Sequence, residues 1–243
     1  MNEVFFGLDL SLNHFGMVLL DDYGTVLDYY AMVDTKKFLI SEKHFFLSEL
    51  STLKEEDKVN FPNHRLGYVV AKILSWIENT RKNGCISSDR VFVAYEGYSY
   101  GSRSTALCQM AEVVGAVKFH CYRKGYAIRG IDPLTVKMFA TDRGRCLKKD
   151  VLDAARVKGF DIPDESFRKV KVKGKVDVCE FNGPGTDLAD AFFLSEILRT
   201  EFLLKEGIIT LEGFSKNTKR VFTRVSKAKP VNLIESPFIR MIE

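Results

Sequence analysis

The chain alternates short, strongly apolar runs with longer stretches in which apolar residues recur at helical spacing. Residues 3–11 are too hydrophobic on both faces for an edge strand, which predicts a strand in the centre of a covered sheet. Turns near Asn13 and Tyr23 separate two further strands, at 16–21 and 25–33. The first three strands are therefore predicted to form an antiparallel meander.

Helices and strands then alternate along the chain. The pattern predicts helices over 66–80, 104–124, 134–140, 147–158 and 187–204, and strands over 90–96 and 127–131. Residues 160–182 are basic and aperiodic, which predicts a loop or small hairpin. The C-terminal tail, residues 206–243, is expected to contain strands near 208–211 and 220–225. The order βββαβαβα predicts an α/β three-layer fold, a mixed five-stranded sheet with helices on both faces.

Composition narrows the class of protein. A chain of 243 residues, 46% hydrophobic and 28% charged, is expected to form one globular α/β domain with extras. It has no apolar run of the roughly 20 residues that a membrane helix needs, and no secretory signal pattern is visible. The five cysteines are scattered and include no Cys-x-x-Cys pair, which favours reduced thiols and a cytoplasmic location.

The distribution of charge is more informative than its sum. The net charge is only +4, but residues 122–175 contain 15 Lys and Arg against 7 Asp and Glu. A basic region of this kind is typical of a protein that binds a polyanion such as nucleic acid.

Four carboxylates break the hydrophobic pattern. Asp9 lies in the middle of the most apolar run, two residues from Gly7, whose missing side chain is predicted to leave room for a ligand. Glu96 closes the fourth predicted strand. Asp187 and Asp190 are three residues apart, and therefore share one face of a strongly apolar helix.

These acids point to a metal site. An ionised carboxylate in an apolar setting costs several kcal/mol unless a positive charge compensates it. A pair of Mg²⁺ ions, or Mn²⁺ in their place, would compensate four such groups and would supply the chemistry of phosphodiester hydrolysis. Each acid alone also fits a structural role, as partner of an arginine, as a solvated strand end or as an acid at a helix N-terminus. Together they favour the metal site.

The acids lie in motifs at residues 7–11 (Gly-Leu-Asp-Leu-Ser), 93–96 (Val-Ala-Tyr-Glu) and 186–191 (Thr-Asp-Leu-Ala-Asp-Ala). In this order the motifs resemble those of RuvC-like Holliday-junction resolvases, members of the ribonuclease-H-like superfamily. Residues 115–116, 133–137 and 148–151 are similar to segments that this family places between its acids. The resemblance implies a ribonuclease-H-like nuclease domain over 1–205, with insertions at 34–63 and 160–182, and a C-terminal extension over 206–243.

The resemblance also implies an activity. A protein of this family would be a homodimeric endonuclease that binds four-way DNA junctions and nicks two opposed strands symmetrically. Two Mg²⁺ ions would be held by Asp9, Glu96, Asp187 and Asp190, with no organic cofactor and no membrane partner. Lys137 matches a basic residue near the scissile phosphate, and either Lys148 or Lys149 matches a second one.

Further residues are predicted to bind DNA. Tyr98 and Tyr100 resemble the aromatic residue that stacks on a base at the junction centre. The basic candidates are Arg103, Arg143, Arg145, Arg168, Lys169, Lys171, Lys173 and Lys175. The run from 168 to 175 also fits a solvated charged loop. The insertions favour a phage-encoded enzyme that acts in a bacterial cytoplasm.

Three other functions compete with this one. Residues 7–11 and 20–27 also resemble the first phosphate loop of actin-like ATPases, but the chain has no second such loop and is short for two lobes. A non-catalytic DNA-binding relative would be expected to lack one of the acids. A nuclease of the same fold acting on other branched DNA or on RNA–DNA hybrids fits the sequence too.

Overall fold

The structure is a computed structural model that describes residues 3–10, 15–33, 44–46, 57, 59–97, 105–163, 166, 168–171, 179–226 and 231–241. Its strands are β1 (Val4–Asp9), β2 (Phe15–Asp21), β3 (Val26–Val33), β4 (His44–Phe46), β5 (Val91–Glu96), β6 (Ala127–Ile131), β7 (Arg168–Lys171) and β8 (Cys179–Asn182). Its helices are α1 (Phe61–Asn83), α2 (Thr105–Arg123), α3 (Pro133–Thr141), α4 (Lys148–Val157), α5 (Pro184–Lys205) and α6 (Lys216–Thr223). None of these helices is long and apolar enough to cross a membrane.

One mixed sheet organises the molecule, with the strand order β4-β3-β2-β1-β5-β6. Strand β1 pairs antiparallel with β2 and parallel with β5, and β6 continues the parallel half. The predicted five-stranded mixed sheet is confirmed. A sixth, short strand, β4, comes from the 34–63 segment and pairs with β3 at the edge.

Helices cover both faces of this sheet because side chains of β1 alternate between two apolar cores. Phe5 points to the face covered by α5, where it stacks on Phe92. Phe6 points to the opposite face and packs edge-on against Trp76 of α1. The central strand is therefore buried on both sides, as its uninterrupted hydrophobicity predicted.

Two glycines let α5 approach the sheet closely. A Cβ atom at Gly7 would lie 2.7 Å from the backbone nitrogen of Ser195 and closer still to the carbonyl oxygen of Ala191. A Cβ atom at Gly16 would lie 2.5 Å from the backbone nitrogen of Leu188. The prediction that Gly7 leaves room for a ligand is thus wrong, because the backbone of α5 fills that space.

The segment at 160–182 contains the small hairpin that its sequence allowed. Strands β7 and β8 pair antiparallel, with Arg168 opposite Asn182 and Lys171 opposite Cys179. Strand β8 leads through Gly183 directly into α5. The basic hairpin is therefore joined to the helix that carries two of the four acids.

The strands predicted in the tail are absent from the described residues, so that prediction is wrong. Residues 208–211 form bends without regular hydrogen bonding after α5, and most of 220–225 lies in or just after α6. Helix α6 begins at an N-cap, Ser215, whose hydroxyl accepts a hydrogen bond from the backbone N–H of Thr218. Its apolar pair, Val221 and Phe222, is buried in the core, and this burial favours the helix over an exposed strand.

The end of the tail covers the free edge of the sheet. Ile239 exchanges two backbone hydrogen bonds with Ile128 of β6, and Phe238 packs edge-on against Phe92 of β5. Beneath it, the buried guanidinium of Arg129 pairs with the carboxylate of Glu201. The tail packs on the same sheet as the rest of the chain, and the division at residue 205 remains a prediction.

Candidate active site

The four acids predicted from the sequence meet at one edge of the sheet. Asp9 and Glu96 are the last residues of β1 and β5, two neighbouring parallel strands whose carboxyl ends lie side by side. Asp187 is in the first turn of α5 and Asp190 lies one turn later. The close packing of α5 over Gly16, opposite Asp9 in the β1–β2 pair, brings this helix start to the strand ends.

Burial and mutual repulsion change the acidity of three of these carboxyl groups. Burial raises the pKa of Asp9 well above its usual value, and the charges of Glu96, Asp187 and Asp190 raise it further. Burial, followed by the charge of Glu96, raises the pKa of Asp190 to about 7. Burial also raises the pKa of Glu96, although a hydrogen bond with Asp9 opposes that rise. Without cations, the cluster therefore retains protons near neutral pH.

Two lysines bring positive charge to the cluster. The charge of Lys148, at the start of α4, lowers the pKa of three of the acids, and that of Lys137, on α3, lowers the pKa of two. Lys149 instead pairs with Asp153 on the exposed side of α4. The structure thus brings Lys137 and Lys148 to the acids, and it does not bring Lys149.

A hydroxyl that the sequence analysis missed connects these groups. The side-chain oxygen of Thr186 lies 3.4 Å from Nζ of Lys148 and 3.5 Å from a carboxylate oxygen of Asp187. It also donates to the carbonyl oxygen of Gly183, at 2.8 Å. Thr186 thereby holds Lys148 next to the start of α5. Its only signal in the sequence is its place directly before Asp187.

The chemistry of the donor set fits hard divalent cations. The cluster offers four carboxyl groups, and Mg²⁺ and Mn²⁺ prefer such oxygen ligands over nitrogen or sulfur. Among the described residues, no three His, Cys, Asp or Glu side chains already stand in an arrangement that could hold a metal ion. Cations bound there would displace the protons that the raised pKa values of Asp9, Glu96 and Asp190 retain.

The predicted DNA-binding residues have different placements. Arg143 and Arg145 are exposed in the loop between α3 and α4. Arg168, Lys169 and Lys171 belong to strand β7 of the hairpin beside the site. The other five lie outside the described residues: Tyr98, Tyr100, Arg103, Lys173 and Lys175.

Comparisons with known proteins identify a structural neighbour. No protein-family model matches the sequence, and no curated protein matches it. The chain is similar to the solved structure of RuvC from Thermus thermophilus, with a TM-score of 0.50 and 16% identity, over 84% of this chain and 96% of that one. A second similar structure, T. thermophilus RuvC in complex with a Holliday junction substrate, has a TM-score of 0.48 and 14% identity over the same shares.

At this level of identity the first likeness shows the fold alone. It extends over nearly the whole RuvC chain. The mixed sheet, the meander at its start and the helices on both faces agree with it. The chain has the ribonuclease-H-like α/β fold of RuvC.

Proposed function

We propose that the chain is a metal-dependent endonuclease that cuts branched DNA, with the four-way junction as its preferred substrate. The observation that carries this proposal is the meeting of Asp9, Glu96, Asp187 and Asp190 at one sheet edge, with Lys137 and Lys148 beside them. A structural role for each acid separately would not require all four to share one place.

The four carboxylates would hold a pair of Mg²⁺ ions, or Mn²⁺ as a substitute. Bound there, the ions would activate the attacking water and stabilise the departing oxygen of a phosphodiester. The backbone positions of the four carboxylates are well defined, since Asp9 and Glu96 belong to central strands and the other two acids to a buried helix. Elements of this kind have little freedom to move, which favours precise positioning of the reacting phosphate.

The two lysines would bind the scissile phosphate. Each extends an ammonium group to the cluster, where negative charge accumulates on the phosphate in the transition state. Thr186 is a positioning residue, because its hydroxyl lies within reach of Lys148 and Asp187 and has no other charged neighbour in the described contacts. Of the two candidates for the second basic position, we propose Lys148.

Cleavage would be symmetric if two copies of the chain act on one junction. A homodimer has a two-fold axis, and a four-way junction has nearly the same symmetry, so each copy would nick one of two opposed strands. The order of the acidic motifs along the sequence, which resembles that of RuvC-like resolvases, supports the proposal of symmetric cleavage by a homodimer. We place the enzyme in a bacterial cytoplasm, encoded by a phage. Four cysteines with described side chains (Cys85, Cys108, Cys121, Cys146) are free thiols, which suits a reducing compartment.

A panel of labelled substrates tests the proposal. The unaltered protein is incubated with a four-way junction, a flap, a linear duplex and an RNA–DNA hybrid, each with Mg²⁺, Mn²⁺ or EDTA. Paired nicks in opposed strands of the junction that need the metal are expected. Preferential cutting of the flap or the hybrid would replace the substrate and keep the nuclease. Junction binding without cutting of any substrate would indicate a non-catalytic DNA-binding relative.

A further inference from the structure

We infer that the C-terminal helix α6 and the loop between α3 and α4 form a second DNA-binding surface, which holds the phosphate backbone of a duplex arm beside the cleavage site. We call it the α6 surface. It comprises Arg143 and Arg145 of the loop and Lys216, Lys219, Arg220 and Arg224 of the helix and its end. The inference rests on the proposed function, since it assigns part of the substrate to this surface.

Helix α6 divides sharply into an apolar and a basic side. Val221 and Phe222 are buried in the main core. At 100° per residue, Lys216, Lys219 and Arg220 fall on the opposite side of the helix, and Lys216 and Arg220 are exposed. Because the apolar side is already buried, this helix has no hydrophobic face left to enter a lipid surface. The side that remains for a partner is cationic.

The helix is fixed to the loop by specific contacts. The hydroxyl of Ser215 donates to the carboxylate of Asp142, and the side-chain amide of Asn217 donates to the carbonyl oxygen of Asp142 at 3.0 Å. Asp142 ends α3 in the left-handed conformation, with φ of 57°. Phe222 packs edge-on against Phe139 of α3. The basic residues of loop and helix are thus held in a constant relation to each other.

This surface adjoins the proposed cleavage site. The loop joins α3 and α4, the two helices that carry Lys137 and Lys148 to the four acids. Thr141, one helical turn beyond Lys137, hydrogen-bonds both the carbonyl oxygen of Lys137 and that of Arg143. A DNA strand whose phosphate lies between the two lysines therefore has the α6 surface within a few nucleotides of the cleavage point.

The cations of the α6 surface are available for a ligand. Within the described residues, Arg143, Arg145, Lys216 and Arg220 have no ion pair or side-chain hydrogen bond. By contrast, several other basic residues are neutralised by acidic neighbours: Lys149 by Asp153, Lys158 and Arg199 by Glu196, and Arg129 and Lys205 by Glu201.

The acidic residues nearby do not cancel this charge. The segments 141–147 and 211–226 contain six basic residues and two acidic ones, Asp142 and Glu212. The carboxylate of Asp142 is engaged by Ser215. A cationic strip beside a phosphodiester-cleaving site matches a nucleic-acid backbone, which carries one charge per phosphate.

The test compares two pairs of neutralising substitutions. Lys216→Gln/Arg220→Gln removes two charges from the α6 surface. As a control, Lys82→Gln/Arg123→Gln removes two exposed charges from the ends of α1 and α2. These helix ends lead to the amino ends of β5 and β6, whereas the acids lie at the carboxyl ends of the strands. Binding of a labelled four-way junction is measured in EDTA over a range of salt concentrations. Each lost phosphate contact lowers the slope of log K against log salt by about 0.9, so the α6 variant should lose about 1.8.

The control pair should keep the slope of the unaltered protein. A charge-conserving variant, Lys216→Arg/Arg220→Lys, should keep it too, which separates charge from any effect on folding. Equal slopes for the α6 variant and the unaltered protein would overturn the inference and leave the nuclease proposal intact. Failure of the unaltered protein to bind any DNA would overturn both.

Discussion

Asp9 and Glu96 end two neighbouring parallel strands, so their carboxyl groups share one edge of the sheet with little room to separate. Asp9 is only 9% exposed and Asp187 only 5%. Burial removes the hydration that favours the charged form, and it also lets water screen the repulsion among the acids only weakly. Both effects raise the pKa values of Asp9, Glu96 and Asp190, with burial the larger cause. The same crowding that makes the metal-free cluster unstable would favour cations within it.

Replacement of Asp190 should stabilise the metal-free protein. Its pKa rises from 3.8 to about 7 in the folded state, so between these values the folded protein binds more protons than the unfolded chain. Folding stability is then lost as the pH rises through this window. At about pH 8 in EDTA, Asp190→Asn should raise the melting temperature by a few degrees, since each kcal/mol corresponds to about 2–4 °C.

This gain should depend on pH. Below about pH 3, where Asp190 is protonated in both the folded and the unfolded state, the variant and the unaltered protein should melt together. A difference in melting temperature that is the same at both pH values would contradict the proposed origin of the effect.

The adjacent residues Lys148 and Lys149 form a matched pair for testing the phosphate-binding role. Lys148→Gln should lower the single-turnover cleavage rate by about 10²-fold, the usual effect of removing one group that stabilises transition-state charge. Lys149→Gln should change this rate by less than about twofold, because Lys149 pairs with Asp153 at the surface and not with the acids of the site. Loss of such an exposed ion pair also costs the fold little stability. Equal losses in both variants would show that Lys148 has no special position.

The sequence identified the four acids because each interrupts an apolar pattern. It could not separate Lys148 from Lys149, since consecutive residues at a helix start point in directions about 100° apart and either can face the site. The packing of α4 against α5 makes that choice. The role of Thr186 could not be predicted from the sequence for a related reason. Threonine is common in the first turn of a helix, and its role here depends on its contact with Lys148 of α4.

At the scale of elements, the approach of α5 to the sheet decides whether the acids meet. Gly7 and Gly16 are the points at which the backbone of this helix contacts β1 and β2. Any side chain there would lift the helix and move Asp187 and Asp190 away from the strand ends. These glycines therefore belong to the site, although neither has a functional group.

Gly16→Ala should destabilise the fold by about 3 kcal/mol or more, because backbone atoms of α5 cannot move aside as a flexible side chain would. Gly67→Ala is the matched control. Gly67 is exposed on α1 with open space around its Cα, so alanine should stabilise that helix by up to about 1 kcal/mol. Urea denaturation measures both, and equal free energies of unfolding for the two variants would refute the close-packing argument.

Helices and strands of the domain were largely predictable, since their periodicity is long and strong. Helix α6 was not, because Arg-Val-Phe-Thr-Arg-Val at 220–225 also fits an alternating strand pattern. A local feature, the capping by Ser215, and a long-range one, the packing of Phe222 on Phe139, decide for the helix. Gly7 was misinterpreted for the same reason, as its neighbour in space is 184 residues away in sequence.

On the scale of the whole molecule, the tail returns to the sheet and closes its open edge. Strand β6 would otherwise present unpaired backbone groups, which in many proteins invite association with other chains. Ile239 covers part of this edge. Phe238 fastens the segment through ring contacts with Phe92 and with the cationic groups of Arg129 and Lys205.

Removal of the Phe238 ring should lower the stability of the whole domain. Phe238→Ala should lower the free energy of unfolding by about 2 kcal/mol, less than for a fully buried ring. Phe119→Ala serves as control, since Phe119 is 64% exposed on α2 and its loss should cost little. Thermal unfolding of both variants checks this, and equal melting temperatures would mean that the tail adds no stability through Phe238.

The assignment of the four carboxylates at the sheet edge to a metal-dependent nuclease centre can be tested by strand cleavage of an end-labelled four-way junction in Mg²⁺. The unaltered protein is compared with Asp9→Asn and Asp190→Asn. We predict paired nicks by the unaltered protein, none by either variant, and junction binding by all three. Undiminished cutting by either variant would contradict the assignment.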